Sequence, residues 1–93
     1  MLVRMTFQPD KVTDFLAIFR QSQPLIRAFE GCVHLELLQD AHNLLIYNTL
    51  SHWNTAEALE AYRQSALFRE TWARTKVLFA DKPRDFSLLP VTL

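Results

Sequence analysis

Trp53, Tyr62, Phe68 and Trp72 bring four large aromatic side chains into one twenty-residue stretch of the chain. At helical spacing they either form one apolar wall against which a flat ring can lie, or pack as ordinary core. Asn48 is an isolated amide in an apolar run, LLIYNTL. Such an amide must be satisfied. Backbone or a buried water can do it, and so can a ligand. His34 and His52 carry the imidazoles best placed to exchange a proton near neutral pH. His42 falls in a turn-like segment, DAHN, and is expected to be exposed. No Ser–His–Asp or Cys–His order emerges from these positions, so nucleophilic catalysis has little support. The three histidines are scattered, and no spacing reads as a metal site. Cys32 is the only cysteine, which rules out an internal disulfide.

Ninety-three residues make a single domain, 1–93. Ten basic and ten acidic residues cancel, and no like-charge run points to nucleic acid or an anionic membrane. No segment approaches the roughly 20 apolar residues of a membrane span, and the first residues do not read as a signal peptide. A cytoplasmic protein is expected. The apolar share is 49%, high for so short a chain, and hints at apolar surface buried between subunits.

The elements that must position the candidate residues read as follows. Residues 2–7 form a strand, with Val3, Met5 and Phe7 on one face. Pro9 opens a helix over 9–29 whose apolar stripe includes Phe15, Phe19 and Ile26. Pro24 is expected to kink or interrupt it, and Gly31 to end it in a left-handed conformation. Residues 32–39 and 44–51 form a hairpin around a four-residue turn, with Gln39 opposite Leu44. Asn54 reads as N-cap of a helix over 55–65, with Glu57 completing a capping box. A further helix spans 66–77, and a last strand spans 85–91.

The resulting β-α-β-β-α-β order is the ferredoxin-like α+β arrangement. In the expected register Asn48 lies on the helix-covered face with Leu35, Ile46 and Leu50. His34, Glu36, Tyr47 and Arg4 lie on the other, with an Arg4–Glu36 ion pair. That second face is too apolar for water and too polar for a dry core. A second copy packed against it, sheet to sheet, makes a two-fold homodimer the expected state.

The segments W-N-T-A-E-A-L at 53–59, Y-R-Q-S-A-L-F at 62–68, F-E-G-C at 29–32 and the Trp72–Phe79 stretch resemble the antibiotic biosynthesis monooxygenase family of dimeric α/β barrels. The resemblance covers nearly the whole chain. It implies a pocket between helices and sheet, and a cofactor-free oxidation of a small aromatic or quinol by O₂. Such chemistry needs a ring-binding wall, a hydrogen-bond donor for a phenolate and a base. On this chain it implies Trp53, Phe68 and Trp72 as substrate-binding residues, with Asn48, Tyr62 and His34 as catalytic candidates and His52 as a second possible base. A haem-degrading branch of the family uses an Asn, a Trp and a ligating His where this chain has Val3, Tyr62 and Trp72. No haem, other cofactor or metal is therefore expected. A non-enzymatic binder of a small apolar ligand, and an isomerase or signal-processing enzyme of the same superfamily, are the alternatives.

Overall fold

A computed structural model describes residues 1–93. Strand β1 (Leu2–Thr6) leads through a 3-10 turn (Pro9–Lys11) into α1 (Val12–Arg27). Then come β2 (Cys32–Gln39), β3 (Ile46–Trp53), α2 (Ala56–Arg63), α3 (Ala66–Lys76) and β4 (Arg84–Phe86). The four strands form one antiparallel sheet in the order β2-β3-β1-β4. The fold is α+β and ferredoxin-like, with the second helical segment divided into two.

Helix α1 buries Phe15, Phe19, Ser22 and Ile26, a single stripe at the i, i+4, i+7, i+11 spacing. Contrary to the expected interruption, the helix runs through Pro24 to Arg27. The proline removes only the bond to the carbonyl of Arg20. Both residues lie on the exposed side, where water takes that bond. Gly31 has φ 89°, as anticipated. It also sits against α2 and the end of β3: a Cβ there would collide with the Cβ of Ala58 and come 2.8 Å from Oδ1 of Asn54.

That close approach also explains why Asn54 is not the N-cap of α2. Its N–H donates to the carbonyl of Gly31 at 2.8 Å, which ties it to the β2 end of the sheet. Thr55 takes the capping position, accepting from the N–H of Ala58 at 3.0 Å. The capping box with Glu57 is therefore absent. Ser65 makes the break between α2 and α3 with one hydroxyl. It donates to the carbonyl of Tyr62 at 2.6 Å and accepts from the N–H of Phe68 at 3.1 Å.

The hairpin register departs most from expectation. Asp40 Oδ2 accepts from the N–H groups of His42 and Asn43, both at 2.9 Å, and Asn43 Oδ1 accepts from Leu45 N–H at 3.0 Å. These bonds, chiefly that from His42, hold the Asp40 carboxyl below the usual aspartate range, with Arg4 assisting. Two successive Asx turns lengthen the loop, so Gln39 pairs with Tyr47 rather than Leu44. A shift by an odd number of residues inverts β3 relative to β2. Tyr47, Thr49, Ser51 and Trp53 consequently share the helix-side face with Met5, Val3, Leu37 and Leu35. Asn48, Ile46 and Leu50 share the uncovered face with Arg4, Leu2, Leu38 and Glu36. Arg4 pairs with Asp40 at 3.4 Å, not with Glu36. Glu36 instead contacts His34 at 3.1 Å.

The core centres on Phe7, which is fully buried and packs with Met5, Phe15, Phe19, Tyr47 and Leu78. Strand β4 is shorter than the expected 85–91, and residues 87–93 form neither helix nor strand. Pro90 lacks an N–H to donate to a neighbouring strand. No helix is long and apolar enough to cross a membrane.

Candidate functional site

The sheet's helix-side face and the three helices do not close completely. Between them lies an inner chamber of about 90 Å³ lined by β1, α1, β2, β3, α2 and α3. Trp53, Tyr62, Phe68 and Trp72 all border it. The four ring residues singled out from the sequence are thus gathered into one wall. Each ring meets the next: Trp53 stacks on Tyr62 at 5.0 Å, Tyr62 meets Phe68 edge-on at 5.3 Å, and Phe68 stacks on Trp72 at 6.0 Å. Trp72 continues edge-on to Phe79, and Phe79 reaches Phe7. A single run of aromatic contacts thereby joins the chamber wall to the core.

Local structure places each of these rings. The hydroxyl of Ser65 ends α2 just after Tyr62 and starts α3 just before Phe68, setting the two rings at right angles. Trp53 Nε1 donates to Ser51 Oγ at 3.0 Å, which fixes the indole at the end of β3. The floor is Val3, Met5, Leu35 and Thr49, and Phe15, Phe19 and Ile26 of α1 close the far side. Two chamber hydroxyls are committed to the fold, Ser22 donating to the carbonyl of Ile18 and Thr75 to that of Thr71, while Thr49 and Thr71 line the chamber without such a bond.

Tyr62 differs from these. It is buried, yet its hydroxyl neither gives nor takes a hydrogen bond within the protein, and no side-chain oxygen is sealed away without a partner. Tyr62 is one of the residues that line the chamber. Burial, and to a lesser extent the neighbouring Cys32, push its pKa up to about 12. At neutral pH Tyr62 is therefore a proton-bearing donor and not a base. Tyr62 is the only titrating side chain in the lining, which contains no imidazole, carboxylate or amine side chain.

The remaining candidates lie elsewhere. Asn48 borders a separate groove on the uncovered sheet face with Arg4 and Thr6, because β3 is inverted relative to the expected register. His34 and His52 are cross-strand partners on that same face, with ring centroids 5.4 Å apart. The sheet separates both from the chamber, so neither is positioned as its base. Cys32 is buried, and burial pushes its thiol above the usual range, although the backbone of His34 and the nearby Arg27 oppose this. It is poorly suited to act as a nucleophile. No group of three or more His, Cys, Asp or Glu side chains is gathered as a metal site requires.

Sequence reasoning missed Thr49, Ser51 and Arg63. The alternation Tyr47, Thr49, Ser51, Trp53 was visible, but Ile46 and Leu50 offered a more apolar competing face. Arg63 borders a wider outer chamber of about 260 Å³ that shares Met1, Val3, Phe68 and Trp72 with the inner one.

Residues 1–74 match the family profile described as antibiotic biosynthesis monooxygenase. The chain belongs to that family. No curated protein matches it at a significant level. Among solved structures, a Mycobacterium tuberculosis protein superimposes with a TM-score of 0.90 at 20% identity, over 99% of this chain and 93% of that one. A conserved Methanosarcina mazei protein superimposes with a TM-score of 0.86 at 19% identity, over 89% and 82%. A Bordetella bronchiseptica protein, provisionally described as an antibiotic biosynthesis monooxygenase, is 26% identical over 95% of this chain and 94% of that one, with a TM-score of 0.79. These likenesses agree with the fold of this family member.

Proposed function

We propose that the chain is a cofactor-independent monooxygenase that oxidises a small aromatic or quinol substrate with O₂. The observation that carries this reading is the aromatic-walled chamber bordered by the protonated phenol of Tyr62, the lining's one titrating side chain. An apolar, water-poor chamber suits both a ring and dissolved oxygen. A donor aimed at a ring oxygen stabilises that oxygen as it gains negative charge, and it does so more strongly at low dielectric.

Without a reductant, the substrate itself must supply every electron. A ring methylene activated by a phenol meets this condition. Its two C–H bonds are lost, one oxygen atom forms the new C=O, and the other leaves as water with both hydrogens. The lining offers no basic side chain, so the substrate proton passes to solvent and Tyr62 holds the resulting oxyanion. An anthrone is the natural probe. Uptake of one O₂ per anthrone consumed, with anthraquinone as product and a rate well above the protein-free reaction, is the expected result. Uptake equal to the protein-free blank with anthrone and a set of hydroquinones would reject the enzyme. The lack of a basic side chain in the lining favours one alternative, a protein that binds the same ring without turning it over. The isomerase reading requires a proton-transfer pair, which the chamber does not provide.

We also propose that two copies pack through their uncovered sheet faces in a cytoplasmic homodimer. Leu38 and Phe86 are each more than two-fifths exposed on that side, beside Leu2, Ile46 and Leu50. The lone buried thiol of Cys32 suits a reducing compartment. Light scattering at micromolar concentration should give twice the chain mass of 10.9 kDa. Leu38→Asp should shift the species to one copy, since an unpaired carboxylate resists burial.

A further inference from the structure

The outer chamber differs from the inner one in charge. It holds Arg63 and Asp85 at its rim, whereas the inner lining has no charged side chain. Arg84 also borders it, but Arg84 lies opposite Arg4 in the β1–β4 register. It therefore belongs to the uncovered sheet face, where it borders the groove with Arg4 and Asn48. Arg63 is thus the cationic side chain placed where the two chambers meet. Its Nη2 lies 2.7 Å from the Met1 sulfur, and Met1 lines both chambers.

The guanidinium is weakly engaged. Its ionic partner is Asp85 at 3.7 Å, whose side chain is 70% exposed and sits on the three-residue edge strand β4. A thioether is a poor acceptor for a charged donor. Arg63 therefore retains hydrogen-bonding capacity toward a better anion. The inner chamber is also small beside the roughly 150 Å³ of an apolar cavity known to hold benzene. A ring seated against Trp72 and Phe68 must extend toward the outer chamber, so one of its substituents approaches Arg63.

We propose that the ligand is a small aromatic carboxylate, with its ring against the Phe68–Trp72 wall and its carboxylate paired to Arg63 in place of Asp85. The planar guanidinium presents two parallel N–H groups that match a carboxylate. Arg63 is then a specificity-determining residue, separate from the Tyr62 donor. This assignment rests on the aromatic-binding reading above and does not depend on turnover.

The test is calorimetric titration of the unmodified protein with 4-hydroxybenzoate and with 4-hydroxybenzamide, its neutral counterpart of nearly equal size. The carboxylate should bind about tenfold more tightly, the scale of a partly exposed charge-assisted bond. That preference should shrink as salt rises. In Arg63→Gln the preference should vanish while the amide binds as before, and Arg84→Gln should leave both affinities unchanged. Asp85→Asn, which removes the competing carboxylate, should strengthen carboxylate binding. Equal binding of the two probes, or a preference that survives Arg63→Gln, would overturn the assignment and leave the aromatic chamber standing. Binding of neither probe would overturn both.

Discussion

Phe7→Ala is expected to lower unfolding stability by about 4 kcal/mol, within the usual range for a phenylalanine lost from a packed core. Phe7 has no solvent exposure. Its ring stacks on Phe15 with centroids 4.1 Å apart, and it meets Tyr47 at 6.0 Å and Phe79 at 5.4 Å. Those neighbours come from α1, β3 and the segment after α3, so no single element can move in to fill the void. The backbone adds to the constraint: Phe7 N–H donates to the carbonyl of Leu45, and Phe7 bridges to Phe79. A domain of this size has about 5 to 14 kcal/mol in total, so the loss is a large fraction. Urea unfolding at fixed protein concentration reads it as a fall in midpoint of a few molar, at a slope of about 1 to 1.5 kcal/mol per molar. Phe7→Leu should retain most of the stability. Equal, small shifts for both variants would show that filling this position matters little to stability.

The elements were legible because their signals are local. Pro9, Gly31 and Ser65 each act on their own backbone, the cap of α2 falls one residue after the expected Asn54, and the alternation of β1 and β2 is plain. The sheet order follows from the β-α-β-β-α-β succession, but of the ring wall only the Phe68–Trp72 pair follows from helical spacing, since Trp53 ends β3 and Tyr62 lies on α2. What the sequence did not reveal was the direction of β3. Ile46, Asn48 and Leu50 alternate with Tyr47, Thr49 and Ser51, and the first set is the more apolar. Hydropathy therefore assigned it to the core. In the fold the less apolar set faces the chamber, and Ile46 and Leu50 face the bare side of the sheet. When both faces carry apolar residues, alternation gives a period without an orientation. The length of the loop then decides. That length depends on two side chains, Asp40 and Asn43, bonding backbone N–H groups within a few residues. Such bonds are local, but their consequence travels the length of the strand and moves Asn48 from one site to another.

The placement of Asn48 and both histidines outside the chamber concentrates the chemistry on Tyr62, and Tyr62→Phe separates its two roles. The ring should keep its contacts with Trp53 and Phe68, so stability near pH 7 should stay within about 0.5 kcal/mol. Oxygenation of a phenolic substrate should fall about 100-fold, the scale for removing one preorganised oxyanion donor, with a smaller effect on substrate affinity. The alkaline limb of stability should change as well. Below pH 10 the phenol is protonated whether the chain is folded or unfolded. Above pH 10 the unfolded chain releases this proton, while the folded chain holds it until about 12. Stability contributed by the raised pKa is thus intact at neutral pH and declines as pH rises between those values, by about 1.4 kcal/mol at pH 11. Tyr62→Phe has no proton to release, so its stability should decline less between pH 8 and pH 11 by that amount. Unchanged oxygenation together with a flattened alkaline limb would leave Tyr62 as a buried phenol without a part in the reaction. Loss of oxygenation with the parent's alkaline limb intact would mean that burial does not hold the proton. Only the two changes together identify the hydroxyl as a donor kept protonated by its surroundings.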